Sequence, residues 1–242
     1  MNLSNNKILI TGGASGIGLG LTERFLQENN TVLICGRRDS ALQEVKSKYP
    51  LVITRVCDLE QPQDREALYN WIVAEHSDLS VLINNAGVQQ WTSIGDDDFY
   101  SCAKQELAIN VEAPVHLVHL FQKMKSLKTI INVTSGLSFS PLAKVAVYSA
   151  TKAFFHSFTL SLRHLLKPQG IEVIEIIPPA INTDLGGKGL HDYAPPVSEF
   201  IQSVFEQLKD QKEEITFGVS ALSVKATPDE LKANFARMNG VN

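Results

Sequence analysis

The chain has 242 residues, of which 44% are hydrophobic and 20% charged, as is ordinary for a globular protein. Its formal net charge is −4, and acids and bases are mixed along the chain, which disfavours a nucleic-acid surface because such surfaces carry a clustered basic excess. The sequence has no signal peptide, no membrane-spanning apolar run and no CxxC pair, which predicts a cytoplasmic protein without a disulfide framework or metal site.

Short β-branched runs alternate with longer segments of helical periodicity, and the runs are apolar enough for strands covered on both faces. The predicted strands are Ile8–Thr11, Thr31–Cys35, Leu51–Cys57, Val81–Asn84, Thr129–Thr134 and Glu172–Ile177. The predicted helices between them are Ile17–Glu28, Ser40–Lys48, Asp64–Glu75, Val111–Met124 and Tyr148–Leu166. This alternation predicts an α/β fold with a doubly wound parallel sheet of about seven strands and helices on both faces.

The alternation of predicted strands and helices is interrupted after Ile177. Residues 178–196 contain four prolines and three glycines, which indicates a loop, and we expect residues 184–200 to form a lid over the substrate. A helix over Val197–Lys209 and a strand over Glu214–Phe217 are expected to close the sheet. We expect residues 1–242 to form a single domain, with the last dozen residues as a surface appendage.

A glycine-rich segment joins the first predicted strand to the first predicted helix. Its glycines have the spacing G-x3-G-x-G, which lets the backbone approach a pyrophosphate, while the helix N-terminus offers free N–H groups and a partial positive charge. Such glycines can also simply make a tight turn, but the strand before and the helix after favour a dinucleotide site. The candidate residues are Gly12, Ser15, Gly16, Ile17 and Gly18.

The same glycine spacing resembles the signature of the short-chain dehydrogenase/reductase family. Two further family motifs occur in order: Asn-Asn-Ala-Gly at residues 84–87 and an acid, Asp58, after the third strand. In the family the first motif stabilises the sheet and lines the adenine side of the cofactor, and the acid contacts the adenine ring. On their own, these residues would be turn formers and a helix cap. The resemblance implies cofactor contacts at Asp58, Asn84, Ala86 and Gly87.

The end of the second strand bears on the choice of cofactor. NAD sites of this type usually carry an acid about 20 residues after the glycines, where it binds the ribose hydroxyls. Here that place holds Arg37 and Arg38. A guanidinium binds a phosphate bidentately, which favours the 2′-phosphate of NADP, so we expect NADP(H) in preference to NAD(H). The alternatives are that both arginines are solvated surface charges, and that the adjacent Asp39 changes the preference.

A Tyr-x3-Lys pair, Tyr148 and Lys152, lies near the start of the last long predicted helix. The i,i+4 spacing places the phenol and the ammonium on one helix face. A lysine charge about 5 Å away is expected to lower the phenol pKa from about 10 by about two, which brings it towards a working range. Such a pair alone is weak evidence, because it arises by chance in many helices.

The neighbouring motifs strengthen that interpretation. Asn110, Ser135, Tyr148 and Lys152 resemble the catalytic tetrad of the family in order and spacing. The resemblance implies that Tyr148 is the acid/base and that Ser135 positions the substrate oxygen. It also implies that Lys152 binds the nicotinamide ribose and lowers the tyrosine pKa, while Asn110 holds a water in a proton relay.

The loop after the sixth strand resembles the family's Pro-Gly-x-Ile/Val-x-Thr motif, which holds the nicotinamide carboxamide. Pro178, Ile181 and Thr183 match the motif, but Pro179 replaces its glycine, which fixes φ and removes an N–H group. The Pro-Pro variant, the run at residues 134–137 and the helix end at residues 161–164 resemble the DltE-like branch of the family.

The sequence therefore predicts a Rossmann-like NADP(H)-dependent oxidoreductase that interconverts a small-molecule carbonyl and alcohol. Gln89 and Trp91 are hypothesised to line its substrate pocket. By resemblance, the two long helices Val111–Met124 and Tyr148–Leu166 pair in a homodimer, with a tetramer as the alternative. The rival interpretations are a sensor that binds NADP(H) without turnover and an isomerase or dehydratase with a tightly held cofactor.

Overall fold

A computed structural model describes residues 1–240, so residues 241 and 242 of the predicted single domain lie outside the described part. It contains a seven-stranded sheet in the order β3-β2-β1-β4-β5-β6-β7, with every pairing parallel. The strands are β1 Lys7–Thr11, β2 Thr31–Gly36, β3 Ile53–Val56, β4 Val81–Asn84, β5 Thr129–Val133, β6 Glu172–Ile177 and β7 Glu214–Thr216. This is the Rossmann-like doubly wound sheet that the alternation of elements predicted.

Helices cover both faces of the sheet. They are α1 Gly16–Gln27, α2 Asp39–Lys48, α3 Pro62–Glu75, α4 Phe99–Leu107, α5 Ala113–Phe121, α6 Ala146–Leu166, α7 Val197–Lys209, α8 Val219–Ser223 and α9 Pro228–Asn239. Among residues 1–240, no helix is both long enough and apolar enough to span a membrane.

The two faces of the sheet form two apolar cores, because successive side chains of a strand point to opposite faces. Ile8 and Ile10 of β1 pack on one side with α1, α2 and α7. Leu9 points to the other side, against α3, α5 and α6. Both cores consist of buried, mainly aliphatic and aromatic side chains, which explains why the central strands are largely apolar instead of alternating. The predicted strand Leu51–Cys57 was expected to be covered on both faces, but β3 lies at the edge of the sheet and its Arg55 and Val56 are exposed.

The order of the strands reverses between β1 and β4, since the chain proceeds outward from β1 to β3 and then returns to the other side of β1. In open α/β sheets, ligands bind at such a switch point, beyond the carboxyl ends of the strands. The glycine-rich loop after β1 and the segment after β4 lie at this edge, so the fold positions the predicted motifs together.

The helix around Asn110 differs from the prediction. We expected a helix over Val111–Met124 with Asn110 at its start, but α4 runs through a π-helical segment, Ala108–Glu112, into α5. Asn110 therefore lies inside a long, locally widened helix. The extra residue of a π-helical turn, a feature that is frequent at functional sites, rotates the residues that follow and has no signature in hydrophobic periodicity.

The C-terminal segment, predicted as a surface appendage, forms the surface helix α9, which has no buried residue over Pro228–Asn239 and begins with a capping box between Thr227 and Glu230. Asn239 fixes this helix to the loop after β5, where its Nδ2 donates to the Pro141 carbonyl (3.1 Å) and its Oδ1 accepts from the Ala143 N–H (2.6 Å). The segment therefore packs over one end of the ligand cleft.

Candidate active site

A cleft of about 2090 Å³ lies at the switch point of the sheet. It is larger than the roughly 300–1,000 Å³ of typical small-molecule pockets, so it has room for a dinucleotide and a substrate together. The predicted cofactor residues that line it are Gly12, Ser15, Gly16, Ile17, Gly18, Arg37, Arg38, Asp58, Ala86, Gly87, Pro178, Ile181 and Thr183. Ser135, Tyr148 and Lys152 line the same cleft.

The glycine-rich loop presents the N-terminus of α1 to the cleft. Ser15 precedes the helix in an extended conformation and its side chain makes no capping hydrogen bond, so it leaves the first-turn N–H groups uncapped. A Cβ at Gly18 would clash with the carbonyl oxygen of Gly12, so only glycine permits this close return of the backbone. Uncapped N–H groups and the helix dipole fit a pyrophosphate.

The second strand delivers both predicted arginines to the cleft. Arg37 and Arg38 are exposed, and within residues 1–240 neither forms an ion pair. The nearest acid, Asp39, accepts a hydrogen bond from Gln43 Nε2 (3.2 Å), one turn further along α2. The two guanidinium groups thus face the cleft without a carboxylate partner in the described chain.

Asp58 lines the cleft where β3 leads into α3. Its Oδ1 accepts from the Glu60 N–H (3.1 Å), and its own N–H donates to Asp64 Oδ2 (2.8 Å). The acid therefore stabilises the turn as well as facing the cleft.

Asn84 is not brought into the cleft. Its Nδ2 donates to Asn132 Oδ1 on β5 (2.9 Å), and Asn132 Nδ2 donates to Thr159 Oγ1 on α6 (3.0 Å). Both asparagines are buried. Asn84 was predicted among the cofactor contacts; its side chain connects β4 through Asn132 of β5 to α6, and a contact with the cofactor stays a prediction.

Its neighbour Asn85 stabilises the glycine-rich loop. Asn85 Nδ2 donates to the Thr11 carbonyl (2.9 Å), and Thr11 Oγ1 accepts from the N–H groups of Asn85 (3.0 Å) and Ala86 (3.1 Å). These hydrogen bonds hold the ends of β1 and β4 together at the edge of the cleft.

Tyr148 and Lys152 are buried on the face of α6 that looks into the cleft, with 6% and 5% of their surfaces exposed. Lys152 Nζ lies 5.6 Å from the centroid of the Tyr148 ring and donates to the Val133 carbonyl at the end of β5 (2.9 Å). Burial lowers the pKa of Lys152 to about 8. The ammonium is therefore mostly protonated at neutral pH but easily neutralised above it.

The pKa of Tyr148 differs from the expectation. We expected the lysine charge to lower it, but burial raises the phenol pKa well above its ordinary value, and the charge of Glu106 adds to this. The Ser135 hydroxyl acts in the opposite direction. Desolvation outweighs the Ser135 hydrogen bond because a phenolate buried at this position loses its hydration.

Ser135 and Asn110 flank this pair differently. Ser135 is buried at the end of β5, and its Oγ accepts from the Leu137 N–H (3.1 Å), which caps a short 3-10 turn. Asn110 accepts from the Val88 N–H (2.9 Å) and donates to the Val88 carbonyl (2.8 Å) and to Thr151 Oγ1 (3.2 Å). Its amide thus fixes the segment after β4 against α6.

Sequence reasoning missed a buried polar network behind Ser135. Glu175 of β6 is fully buried, and its carboxylate accepts from Thr134 Oγ1 (2.7 Å) and contacts His156 Nδ1 (2.9 and 3.0 Å). The His156 ring in turn packs on Phe139 (4.6 Å between centroids). The sequence carries one signal of this network, a glutamate inside an otherwise apolar strand. A charged residue in a buried strand indicates a buried partner, because buried charges are kept only when they are paired.

A buried acid near the cleft was missed as well. Glu106 of α4 is 2% exposed, its Oε1 accepts from the Gln90 N–H (2.7 Å), and burial raises its pKa. It stands where an amphipathic helix would ordinarily carry an apolar residue, but a single such position does not distinguish a buried acid from a surface one.

The segment predicted as a lid leaves the sheet at the substrate end of the cleft and returns to it. Asn182 donates its N–H to the Pro195 carbonyl (2.9 Å) and pairs with Pro196, which closes the base of the loop between them. Thr183 packs over the glycine-rich loop, where a Cβ at Gly16 would lie 3.3 Å from its Cγ2. Asp184 to Gly187, Leu190 and His191 line the cleft, and the role of residues 184–200 as a lid stays a prediction.

Comparison with known proteins agrees with this geometry. Residues 6–194 match the family model described as short chain dehydrogenase. The chain is 43% identical over 226 residues to an uncharacterized oxidoreductase, DltE, from Bacillus subtilis (strain 168), with 89% of each chain covered. It is 29% identical over 180 residues to the NADP-dependent 3-hydroxy acid dehydrogenase YdfG from Escherichia coli (strain K12), with 71% of each covered.

The fold has solved counterparts too. A short chain dehydrogenase from Burkholderia cenocepacia J2315 in complex with NADP superposes with a TM-score of 0.85 at 24% identity, over 98% of this chain and 99% of that one. The identity to DltE supports the DltE-like branch that the Pro-Pro motif indicated. The chain therefore belongs to the short-chain dehydrogenase family and is an oxidoreductase that acts with NAD(P) on CH–OH and C=O groups.

Proposed function

We propose that the protein is an NADP(H)-dependent oxidoreductase that interconverts a small-molecule carbonyl and alcohol, with Tyr148 as the acid/base. The observation that carries this proposal is the buried pair of Tyr148 and Lys152 beside Ser135, at the edge of a cleft that also presents an uncapped helix N-terminus. When bound, the nicotinamide would supply the hydride for reduction and accept it for oxidation.

The proton transfer belongs to Tyr148. In reduction, the phenol donates its proton to the carbonyl oxygen, which becomes the alcohol hydroxyl; in oxidation, the phenolate takes that proton back. Ser135 Oγ, held at the end of β5, hydrogen-bonds the same substrate oxygen and fixes its position. A positioned acid/base of this kind contributes about 10²–10⁴ to the rate.

Lys152 supplies positive charge at this place. Its hydrogen bond to the Val133 carbonyl orients the ammonium beside the phenol ring and leaves other N–H donors for the nicotinamide ribose. Because the raised pKa of Tyr148 keeps the phenol protonated in the free protein, the residue is poised as an acid for reduction. Oxidation requires a lower phenol pKa, which the positive charge of the oxidised nicotinamide would favour.

The preference for NADP(H) over NAD(H) is part of the proposal. Arg37 and Arg38 would hold the 2′-phosphate, since both face the cleft at the end of β2 and the described residues provide neither with a carboxylate partner. The N-terminus of α1 would hold the pyrophosphate, and Asp58, Ala86 and Gly87 the adenosine side. Pro178, Ile181 and Thr183 would contact the nicotinamide end. The NADP complex of a structural neighbour and the NADP dependence of a relative support this assignment.

A fluorescence titration of the purified protein with NADPH and NADH tests the cofactor assignment. We expect tighter binding of NADPH and a selective loss of its affinity in Arg38→Asp, with NADH binding little changed. Equal or tighter binding of NADH would contradict the preference for NADP(H). Tight NADPH binding without oxidation by any carbonyl compound would favour a sensor instead of an enzyme.

The proposal includes the location and assembly of the protein. We propose a cytoplasmic homodimer in which residues 1–242 act as one domain and residues 184–200 as a substrate lid. Exposed apolar side chains on α6, one of the two helices that would pair, support an interface there: Phe154, Leu160 and Leu165 are 45%, 43% and 62% exposed. Light scattering at several protein concentrations tests the dimer, and a monomer at all of them would contradict it.

A further inference from the structure

Two buried polar atoms on the substrate side of the cleft have no hydrogen-bond partner among the described residues. They are Oε1 of Gln89 and Nδ1 of His191. Both side chains are more than nine-tenths buried, with 7% and 9% of their surfaces exposed, and both line the cleft. A buried polar group without a partner destabilises a protein, so such atoms are uncommon unless they have a function.

Gln89 is fixed beside the catalytic residues. The preceding residue, Val88, is bound through both its N–H and its carbonyl by Asn110, and a Cβ at Gly87 would lie 3.7 Å from Lys152 Nζ. The following residue, Gln90, donates its N–H to Glu106. Gln89 therefore stands on a short segment that the helix carrying Asn110 holds from both sides, next to the reacting groups.

The lid closes on this glutamine. Gly186 has φ +78°, and a Cβ there would lie 2.8 Å from both Gln89 Oε1 and Trp91 Nε1. Only glycine lets the lid backbone come this close without displacing the two side chains. His191 belongs to the same lid, in a turn where its carbonyl accepts from the Ala194 N–H (2.9 Å). One unpartnered atom thus comes from the floor of the cleft and the other from the lid.

We propose that Gln89 and His191 form a polar subsite that binds a second hydroxyl group of the substrate, so that the substrates are hydroxylated ketones and the corresponding diols. A hydroxyl both donates and accepts, so it can donate to Gln89 Oε1 and accept from a protonated His191 Nδ1, or pair with His191 Nδ1 in its other tautomer. A carboxylate only accepts and leaves Gln89 Oε1 without a donor. The inference rests on the proposed function, since it concerns the substrate of the same reaction.

Matched pairs of ketones test the subsite. Hydroxyacetone and butanone have the same number of heavy atoms and differ by a hydroxyl in place of a methyl; longer pairs place the hydroxyl further from the carbonyl. With NADPH, we expect kcat/KM at least about tenfold higher for the hydroxyketone of the best pair, because sites built to bind a hydroxyl reject analogues without it. Equal efficiency within every pair would overturn the proposal.

Gln89→Leu and Gln90→Leu form a matched pair of variants. Gln90 is the adjacent glutamine, but its Nε2 donates to Gln105 Oε1 (2.9 Å), so its side chain already has a partner. We expect Gln89→Leu and His191→Phe to abolish the preference for the hydroxyketone and Gln90→Leu to retain it. A preference that survives in Gln89→Leu and His191→Phe would overturn the proposal.

Thermal unfolding provides a readout that does not depend on turnover. Removing the unpartnered Oε1 of Gln89 should raise Tm by about 2–12 °C in Gln89→Leu, and Gln90→Leu should show no such rise. With NADP⁺ bound, propylene glycol should stabilise the wild type more than sec-butanol does. The proposed subsite would be overturned if Gln89→Leu had the Tm of the wild type and the two alcohols stabilised the wild type equally. Absence of NADPH oxidation with every ketone would count against the proposed function alone.

Discussion

Replacing His156 by leucine should destabilise the protein strongly, because it leaves Glu175 buried and without the imidazole that pairs with it. The Glu175 side chain is fully buried, and His156 contacts both of its carboxylate oxygens at 2.9 and 3.0 Å, while the side chain of His156 is 20% exposed. Breaking a buried pair in this way costs about 3–5 kcal/mol. For a chain of this size we expect Tm to fall by about 6–20 °C.

The same pair predicts how stability depends on pH. The hydrogen bond with Glu175 raises the pKa of His156, and the negative charge of Glu214 raises it further. Burial and the positive charge of Arg163 lower the same pKa, but the net effect is a rise. A raised folded pKa contributes stability that is fully present below the unfolded pKa of about 6.5 and is lost as the pH rises through the folded value. The wild type should therefore lose its stability advantage over His156→Leu as the solution becomes alkaline.

Urea unfolding of both proteins across this pH range is the assay, with a double variant as the control. His156→Leu combined with Glu175→Leu removes the buried charge as well, and it should recover much of the stability lost in the single variant, since apolar replacements of buried pairs are often tolerated. A single variant as stable as the wild type at every pH, or a double variant no better than the single one, would refute the reasoning.

Three further predictions concern the cleft. Gly18→Ala should lower the affinity for NADPH at least about tenfold, because the new Cβ would clash with the Gly12 carbonyl. Gly95→Ala is the control: a Cβ at Gly95 would meet no atom within 4 Å, so the titrated affinity should not change. In the reduction direction, kcat/KM should fall as the pH rises through about 8, where Lys152 loses its proton, and a Lys152→Arg variant that remains active should lack this fall. Asn239→Ala should release α9 from the loop after β5 and raise KM more than it lowers kcat; unchanged steady-state kinetics would show that α9 does not shape the substrate end.

The local patterns of the sequence predicted the sheet and most of the cleft. Apolar runs such as Ile8–Thr11 are buried on both faces in the structure, so they could not be confused with exposed strands. The glycine spacing and the Tyr148–Lys152 spacing are also local, since a turn and one helix face fix their geometry. These features were predictable because each depends on residues close together in the chain.

The remaining features depend on contacts between distant segments. Glu175 meets His156 across 19 residues and two elements, and Asn239 meets Pro141 across 98, so neither pairing has a local signature. The pKa of Tyr148 was predicted in the wrong direction because the lysine spacing was visible in the sequence while the extent of burial was not. The π-helical segment at Ala108–Glu112 inserts a residue that hydrophobic periodicity cannot detect.

The oxidation of NADPH by wild type and Tyr148→Phe, over a panel of ketones and aldehydes, tests the central claim most directly. Cofactor affinity of both proteins is measured alongside by fluorescence. We expect the variant to bind NADPH like the wild type but to turn over its best substrate about 10²–10⁴ times more slowly. A variant that binds NADPH and reduces that substrate at the wild-type rate would contradict the role of Tyr148 as the acid.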